Sequence, residues 1–487
     1  MSSATAARER PPAAALPVAP APIPAAVWRL AILIASGAFL SGLDSSVVAV
    51  GLDTMAARLG TGLADAQWIA TAYLLALGVA LPAYGWAGRR FGAGRVWIAA
   101  MAAFTGASLL CALAPSLELL VAARVLQGLA AGLLIPAGQT VLGEAVGPER
   151  LGRVMATLGI FVTAGPALGP VVGGVVLDVA AWPWLFLLNL PVGVAALVAA
   201  RRLVPRGVAD PAQRADGPGL LLLVTGIPLV VLAATAAGEG HAPGDAAVLV
   251  PLVAGVAALA AFIAYAPWLR RRSAAVPGRA RPALDLRLLA RPRFAAAALT
   301  SALAGAVMVG GALVLPLYFQ LGRGQDALQA GASMIALGAG SMIALPLVGR
   351  AIDRLGAGRV SAVGGVAVLL STIPFGLLDL GAPWWLVQLL LVVRGVAIAL
   401  ALVPTMTAAY QAVDRSQLPD ATALVNILQR LGGAVGGALL AIVLATGLPD
   451  GTEVAVQRTF WWLAVAAGLA ALSAGWLLLV ERRERGG

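Results

Sequence analysis

Fourteen apolar stretches, separated by short polar turns, decide what this chain can fold into. A helix needs about 20 mostly apolar residues to cross a bilayer. By that measure spans fall at about 28–51, 66–87, 94–114, 117–141, 151–177, 182–200, 217–237, 246–268, 294–318, 329–349, 356–378, 382–407, 422–446 and 459–480. Lipid cannot hydrogen-bond to peptide groups, so segments of this length must satisfy their own backbone as helices. Charged residues make up only 11% of the 487 positions, against about 25% in soluble proteins. The expected class is an all-α integral membrane protein.

The net charge is +11, and every basic residue is arginine. A basic chain can signal nucleic-acid binding. Here the arginines fall between spans, where they set topology instead. With the N-terminus placed in the cytoplasm, 27 arginines lie in cytoplasmic segments and three lie outside (Arg58, Arg323 and Arg458). Arg124, Arg394 and Arg430 lie within spans. An even span count and this split predict a multi-pass protein of the cell (inner or plasma) membrane, both termini cytoplasmic, with lipid and no nucleic acid as its surroundings. No short apolar core precedes the first span, so no cleavable signal is expected.

Several chemistries are excluded. One cysteine (Cys111) and one histidine (His241) rule out a disulfide framework and a Cys/His zinc site. Without lysine there is no P-loop. No nucleophile motif, acidic–histidine cluster or sizeable soluble domain points to an enzyme, and no metal or cofactor is expected.

The chain divides into a disordered Ala/Pro-rich cytoplasmic tail (1–27), a six-helix bundle (28–202), two inserted helices with an Arg-rich loop (203–293), a second six-helix bundle (294–481) and a short cytoplasmic tail (482–487). The bundles are related. GWAGRRFGAGRV at 85–96 and GRAIDRLGAGRV at 349–360 each follow the second span of a bundle. Paired bundles of this kind place a substrate site at their interface near the midplane. The tryptophans Trp28, Trp97, Trp182, Trp184, Trp384 and Trp385 near span ends read as an interfacial belt.

Charges inside spans are costly and point to function. Asp44 in span 1 and Arg124 in span 4 are the deep candidates for proton coupling, because a moving partner and changing solvent both shift a carboxyl pKa. The alternatives are local hydrogen bonding for Asp44 and a structural ion pair for Arg124. Arg394 reads as structural. Span 5 carries Gly165, Pro166, Gly169, Pro170, Gly173 and Gly174. Its glycines recur every four residues and suit close helix approach, here expected as a seam against the opposite bundle. Gly85, Arg89, Arg90, Gly92, Arg95, Asp353, Arg354 and Gly356 on the two cytoplasmic turns read as topological signals and as a latch between the halves. Ser46, Tyr73, Gln127, Asn426 and Gln429 are weak candidates for lining the cavity; taken one by one, interhelical hydrogen bonding is the favoured reading of each.

These residues resemble the major facilitator superfamily, and within it the fourteen-span drug:proton antiporters. SGLDSSVVAVGL at 41–52 resembles the span-1 motif, with Asp44 at its acidic position. QWIATAYLLALGVALPAYGWAG at 67–88 resembles span 2. RVLQG at 124–128 matches the span-4 motif whose arginine is implicated in proton transfer, and GPALGPVVGG at 165–174 matches the span-5 antiporter motif. WPWLFLLNLPVG at 182–193 is similar to the start of span 6. The resemblance implies the major facilitator fold, with two extra helices. It covers nearly the whole chain after the tail.

Three departures stand out. Arg89 occupies a position where the family carries an Asp that meets a helix N-terminus in the other bundle; a cation there is expected to repel. Ala49 and Asp53 stand where the span-1 motif has Asn and Pro, and Asp53 adds a carboxylate near the outer mouth, expected to face solvent. The resemblance implies a proton-coupled exporter of small amphiphilic or cationic drugs or natural products, working as a monomer by alternating access. The alternative is an importer or facilitator of a small metabolite on the same fold, since fold alone does not set direction.

Overall fold

The computed structural model describes residues 23–147, 150–238, 241, 244–274 and 281–486. Most of the expected N-terminal tail and Arg279 of the loop fall outside these residues. Among the described residues there is no strand, and fourteen helices are long and apolar enough to cross a membrane. They are span 1 (Ala25–Leu59), span 2 (Leu63–Phe91), span 3 (Ala93–Ala112), span 4 (Leu117–Ala145), span 5 (Leu151–Val179), span 6 (Trp184–Leu203), span 7 (Gly217–Ala237), span 8 (Ala246–Ser273), span 9 (Pro292–Gly322), span 10 (Gln329–Leu355), span 11 (Ala357–Leu377), span 12 (Trp384–Gln411), span 13 (Arg415–Asp450) and span 14 (Thr452–Glu484). Span 1 runs eight residues beyond the apolar stretch. It ends where Gly60 takes a left-handed conformation, φ 66°, and its N–H bonds back to the Ala56 carbonyl. Asp53, on that extension, is exposed as expected.

The internal repeat is structural. In the first bundle span 1 packs on span 5, span 2 on span 4, span 3 on span 4 and span 3 on span 6. In the second, span 9 packs on span 13, span 10 on span 12, span 11 on span 12 and span 11 on span 14. The two repeated turns also match: Gly92 has φ 88°, ψ 139° and Gly356 has φ 92°, ψ 151°. Such positive φ is open to glycine at little cost, which explains the shared FGAGRV/LGAGRV spelling. The inserted spans 7 and 8 pair with each other, and span 7 lies across span 2 of one bundle and span 13 of the other.

Exposed apolar side chains cover the outer surface, among them Leu347 at 61% and Leu472 at 73% exposure. On a soluble protein a belt this large would drive association; here it fits lipid. Trp97 corrects the belt expectation. It is fully buried and packs beneath Gly37, inside the first bundle.

The core is not evenly divided. From the arginine-rich end to about mid-span one hydrophobic core runs through both bundles, joining Leu142, Leu151 and Leu158 to Leu345, Tyr410 and Leu418. Toward the opposite end each bundle has its own core: Val48, Ile69 and Phe186 in the first, Val314, Phe375 and Phe460 in the second. The bundles are therefore fused at the arginine-rich end and separate at the other.

Candidate functional site

Asp44 and Arg124 meet inside the first bundle. Their side chains have no exposure, and Arg124 Nη1 donates to Asp44 Oδ2 at 2.5 Å. The other carboxylate oxygen, Oδ1, accepts from Gln127 Nε2 at 2.9 Å and Asn189 Nδ2 at 2.8 Å. Both amides also donate to Ser108 Oγ, at 2.8 and 3.2 Å. Arg124 donates from Nε to the Ile69 carbonyl at 2.9 Å and from Nη1 to Gln127 Oε1 at 2.7 Å, while Nη2 has no partner. Its guanidinium lies over the Tyr73 ring, 4.1 Å from the centroid, and the Tyr73 hydroxyl bonds to Ser41.

The positions follow from helix geometry. Gln127 is three residues after Arg124 and so shares its face. Asn189 comes from span 6 and Ser108 from span 3, so four spans converge on one carboxylate. A desolvated ion pair is only marginally favourable unless further hydrogen bonds complete it; here three donors hold the carboxylate. The carboxylate is fully enclosed by these partners. Gln127 and Tyr73 thus belong to this sealed cluster and do not line an open cavity. Asn189 and Ser108 were not singled out in the sequence, although an amide inside LFLLNLPVG was the available signal.

Span 5 corrects a second expectation. Gly165, Gly169 and Gly173 face span 1 of their own bundle, not the opposite bundle. A Cβ on Gly165 would lie 2.6 Å from the Phe39 carbonyl oxygen, and one on Gly169 only 2.3 Å from Ser46 Cβ. The physical reason is the proline pair. Pro170 has no N–H for the Pro166 carbonyl four residues earlier, and Ser46 Oγ from span 1 donates to that carbonyl at 3.0 Å. Ser46 is therefore tied to span 5. Gly174 is off this face, with nothing near its Cβ position. The cross-bundle face of span 5 carries Gly152 and Gly159 instead, against Ile352, Leu345 and Val403.

The two turns form a latch of opposite signs. Arg89, at the end of span 2, pairs with Asp420 in the first helical turn of span 13. The cation does not repel that terminus, because Asp420 reverses the local charge. An acid there also suits the helix dipole. Gly85 leaves room beside Asp420, whose Oδ1 is 3.1 Å from its Cβ position. In the second half Asp353, at the end of span 10, accepts from Arg153 Nε at 2.6 Å and from the Gly152 N–H at 3.1 Å, at the start of span 5. Arg90, Arg95 and Arg354 take no part in these cross-bundle pairs: Arg95 bonds locally to the Phe91 carbonyl and Arg354 is exposed. Gly92 and Gly356 shape the turns.

Deeper in, Gln139 Oε1 accepts from Tyr410 Oη at 2.9 Å and Asn426 Nδ2 at 2.7 Å, while Thr140 and Thr422 share a 3.0 Å bond. Asn426 is thus part of the seal between bundles, not of a cavity wall. Gln429 is half-buried on span 13 and joins neither cluster. Arg394, the second-half counterpart of Arg124, is fully buried and reaches only Thr372 at 2.5 Å, with Nε and Nη2 unpartnered.

The profile of the Major Facilitator Superfamily matches residues 34–437 and 338–487. A multidrug resistance protein B homolog of Mycobacterium tuberculosis (strain CDC 1551 / Oshkosh) is 35% identical over 407 residues, covering 83% of this chain and 74% of the relative. A Serratia proteamaculans (strain 568) protein named for multidrug resistance, MdtD, is 30% identical over 425 residues, covering 86% and 85%. Among solved structures, the proton:xylose symporter XylE superposes with TM-score 0.64 at 15% identity, over 92% of this chain and 94% of that one; at that identity the likeness speaks for the fold. With the repeated bundles and their shared interface, these matches show that the chain belongs to the major facilitator superfamily, among transporters whose relatives are named for multidrug resistance.

Proposed function

We propose that this protein is a proton-coupled exporter of small amphiphilic compounds from the cell, an antiporter working by alternating access. The buried Asp44–Arg124 cluster carries the reading: it is the only acid–base pair deep in a span among the described residues, and a proton on Asp44 would release Arg124 and loosen four spans at once. The arginine split supports placing the arginine-rich end in the cytoplasm of a cell membrane. On that placement the described conformation opens outward, with the two cross-bundle pairs and the Gln139 cluster closing its cytoplasmic end. Each proton moving inward contributes about 2.3 kcal/mol per 100 mV, plus any pH difference. A free deep acid would have favoured cationic cargo; Asp44 is occupied by Arg124, so that preference loses its support.

The test is pH-driven efflux in inverted vesicles. Asp44→Asn should abolish it while protein still reaches the membrane. Intact coupling in that variant sinks the assignment, and proton-driven uptake in the opposite sense would make the protein an importer.

A further inference from the structure

Arg430 is the cation that none of these clusters uses. It lies near the middle of span 13 (Arg415–Asp450). It is one turn beyond Asn426 on the same helix face, and Asn426 reaches Gln139 of the first bundle. Arg430 therefore faces the first bundle just past the seal, on the side where the two cores have separated. Unlike Arg124 and Arg394, which are fully buried, it is half-buried, and among the described residues it makes no hydrogen bond or ion pair. Tyr73, which stacks on Arg124, lies near it across the interface.

The acids of the buried cluster and of the two latches are occupied: Asp44 holds Arg124, Asp420 holds Arg89 and Asp353 holds Arg153. Among the described residues Arg430 is thus left as a guanidinium with no carboxylate beside it. An unpaired charge at this depth is costly and points to a ligand. A guanidinium pairs best with a planar or multidentate oxyanion. The cargo proposed above is amphiphilic, so such a ligand carries an apolar body as well.

We propose that Arg430 is a cargo-contacting residue and that the cargo is an amphiphile bearing an acidic group, a carboxylate or sulfonate. This rests on the transporter reading and names its substrate class. It makes Arg430 a specificity determinant contributed by the second bundle, while the proton site belongs to the first.

The experiment is equilibrium binding at equal pH, without a gradient, to the full chain in nanodiscs of neutral lipid, with empty discs as background. Radiolabelled naphthalenesulfonate and tetraphenylphosphonium serve as matched aromatic anion and cation. The wild type should bind the sulfonate and prefer it to the phosphonium. Arg430→Gln should weaken the sulfonate about tenfold or more, the loss expected for a charged hydrogen bond, and leave the phosphonium unchanged or tighter. Arg430→Lys should retain most of the binding. The proposal is overturned if the wild type holds no sulfonate or prefers the phosphonium. It is also overturned if Arg430→Gln keeps full sulfonate affinity, or loses both probes alike while eluting as a single folded species. If Arg430→Gln does not fold, the wild-type preference and Arg430→Lys decide. Binding is read here without a gradient and the transporter reading by pH-driven efflux, so failure of this site and failure of proton coupling are read separately.

Discussion

Arg89→Asp separates two physical accounts by sign. If a cation beside the start of span 13 repelled the helix terminus, an aspartate would tighten the latch. The structure requires the reverse, because Asp420 already occupies that terminus, with its side chain 8% exposed and that of Arg89 12%. The substitution would bring two carboxylates together in the sealed state and leave them hydrated in the open one. Removing one partner of a buried pair costs about 3–5 kcal/mol. Residual solvent access and the helix dipole, about 0.3–1 kcal/mol, offset part of this. About 2–3 kcal/mol then falls on the sealed state alone, a shift of about 30- to 150-fold toward separation of the arginine-rich ends. Pulsed electron paramagnetic resonance can read it, with spin labels at Arg95→Cys and Arg354→Cys, both exposed in the parent, in a Cys111→Ala background. Arg89→Asp should add a longer distance, and Arg89→Asp with Asp420→Arg should largely remove it. A shorter distance in the single variant, or no recovery in the double, would refute the reasoning.

The span-5 contact makes a prediction at Gly169. A methyl there would meet Ser46 at 2.3 Å, so Gly169→Ala should cost about 1–3 kcal/mol by overpacking, seen as a lower melting temperature in detergent. Ser46→Gly removes the clashing atoms and should restore most of that loss, less the one hydrogen bond to Pro166, about 0.6 kcal/mol; no rescue would place the strain elsewhere. Arg394 has no acidic partner and two unpartnered nitrogens. Arg394→Met should therefore raise thermal stability, by about 1–4 kcal/mol if it behaves like other buried charges replaced by apolar residues; destabilisation would reveal a counter-ion for it.

The spans, the repeat and the Asp44–Arg124 pair were legible because each is a one-dimensional signal: length, spelling, or a charge where charge is expensive. What escaped depends on helix rotation and on distant partners. The four-residue glycine period in span 5 defines a face but not its neighbour, and the neighbour is set by the carbonyl that Pro170 frees. Arg89 could be read only with Asp420, 331 residues away. Gln127 and Asn426 both appeared as polar residues in spans. One closes the Asp44–Arg124 cluster and the other a bundle seam, because one faces span 1 and the other the opposite bundle.

Span 7 lies over both span 2 and span 13, the two helices that the Arg89–Asp420 pair ties together. Any gap between them is roofed on its lipid side. The corresponding gap between spans 5 and 10 has no such cover from the inserted pair, which packs on neither. Without spans 7 and 8 the two-fold arrangement would leave both seams open to lipid; span 7 covers one. On the transporter reading proposed above, compounds partitioned in the bilayer would enter by way of spans 5 and 10, past Gly152, Gly159 and the Asp353 latch, and the lateral route would be one-sided.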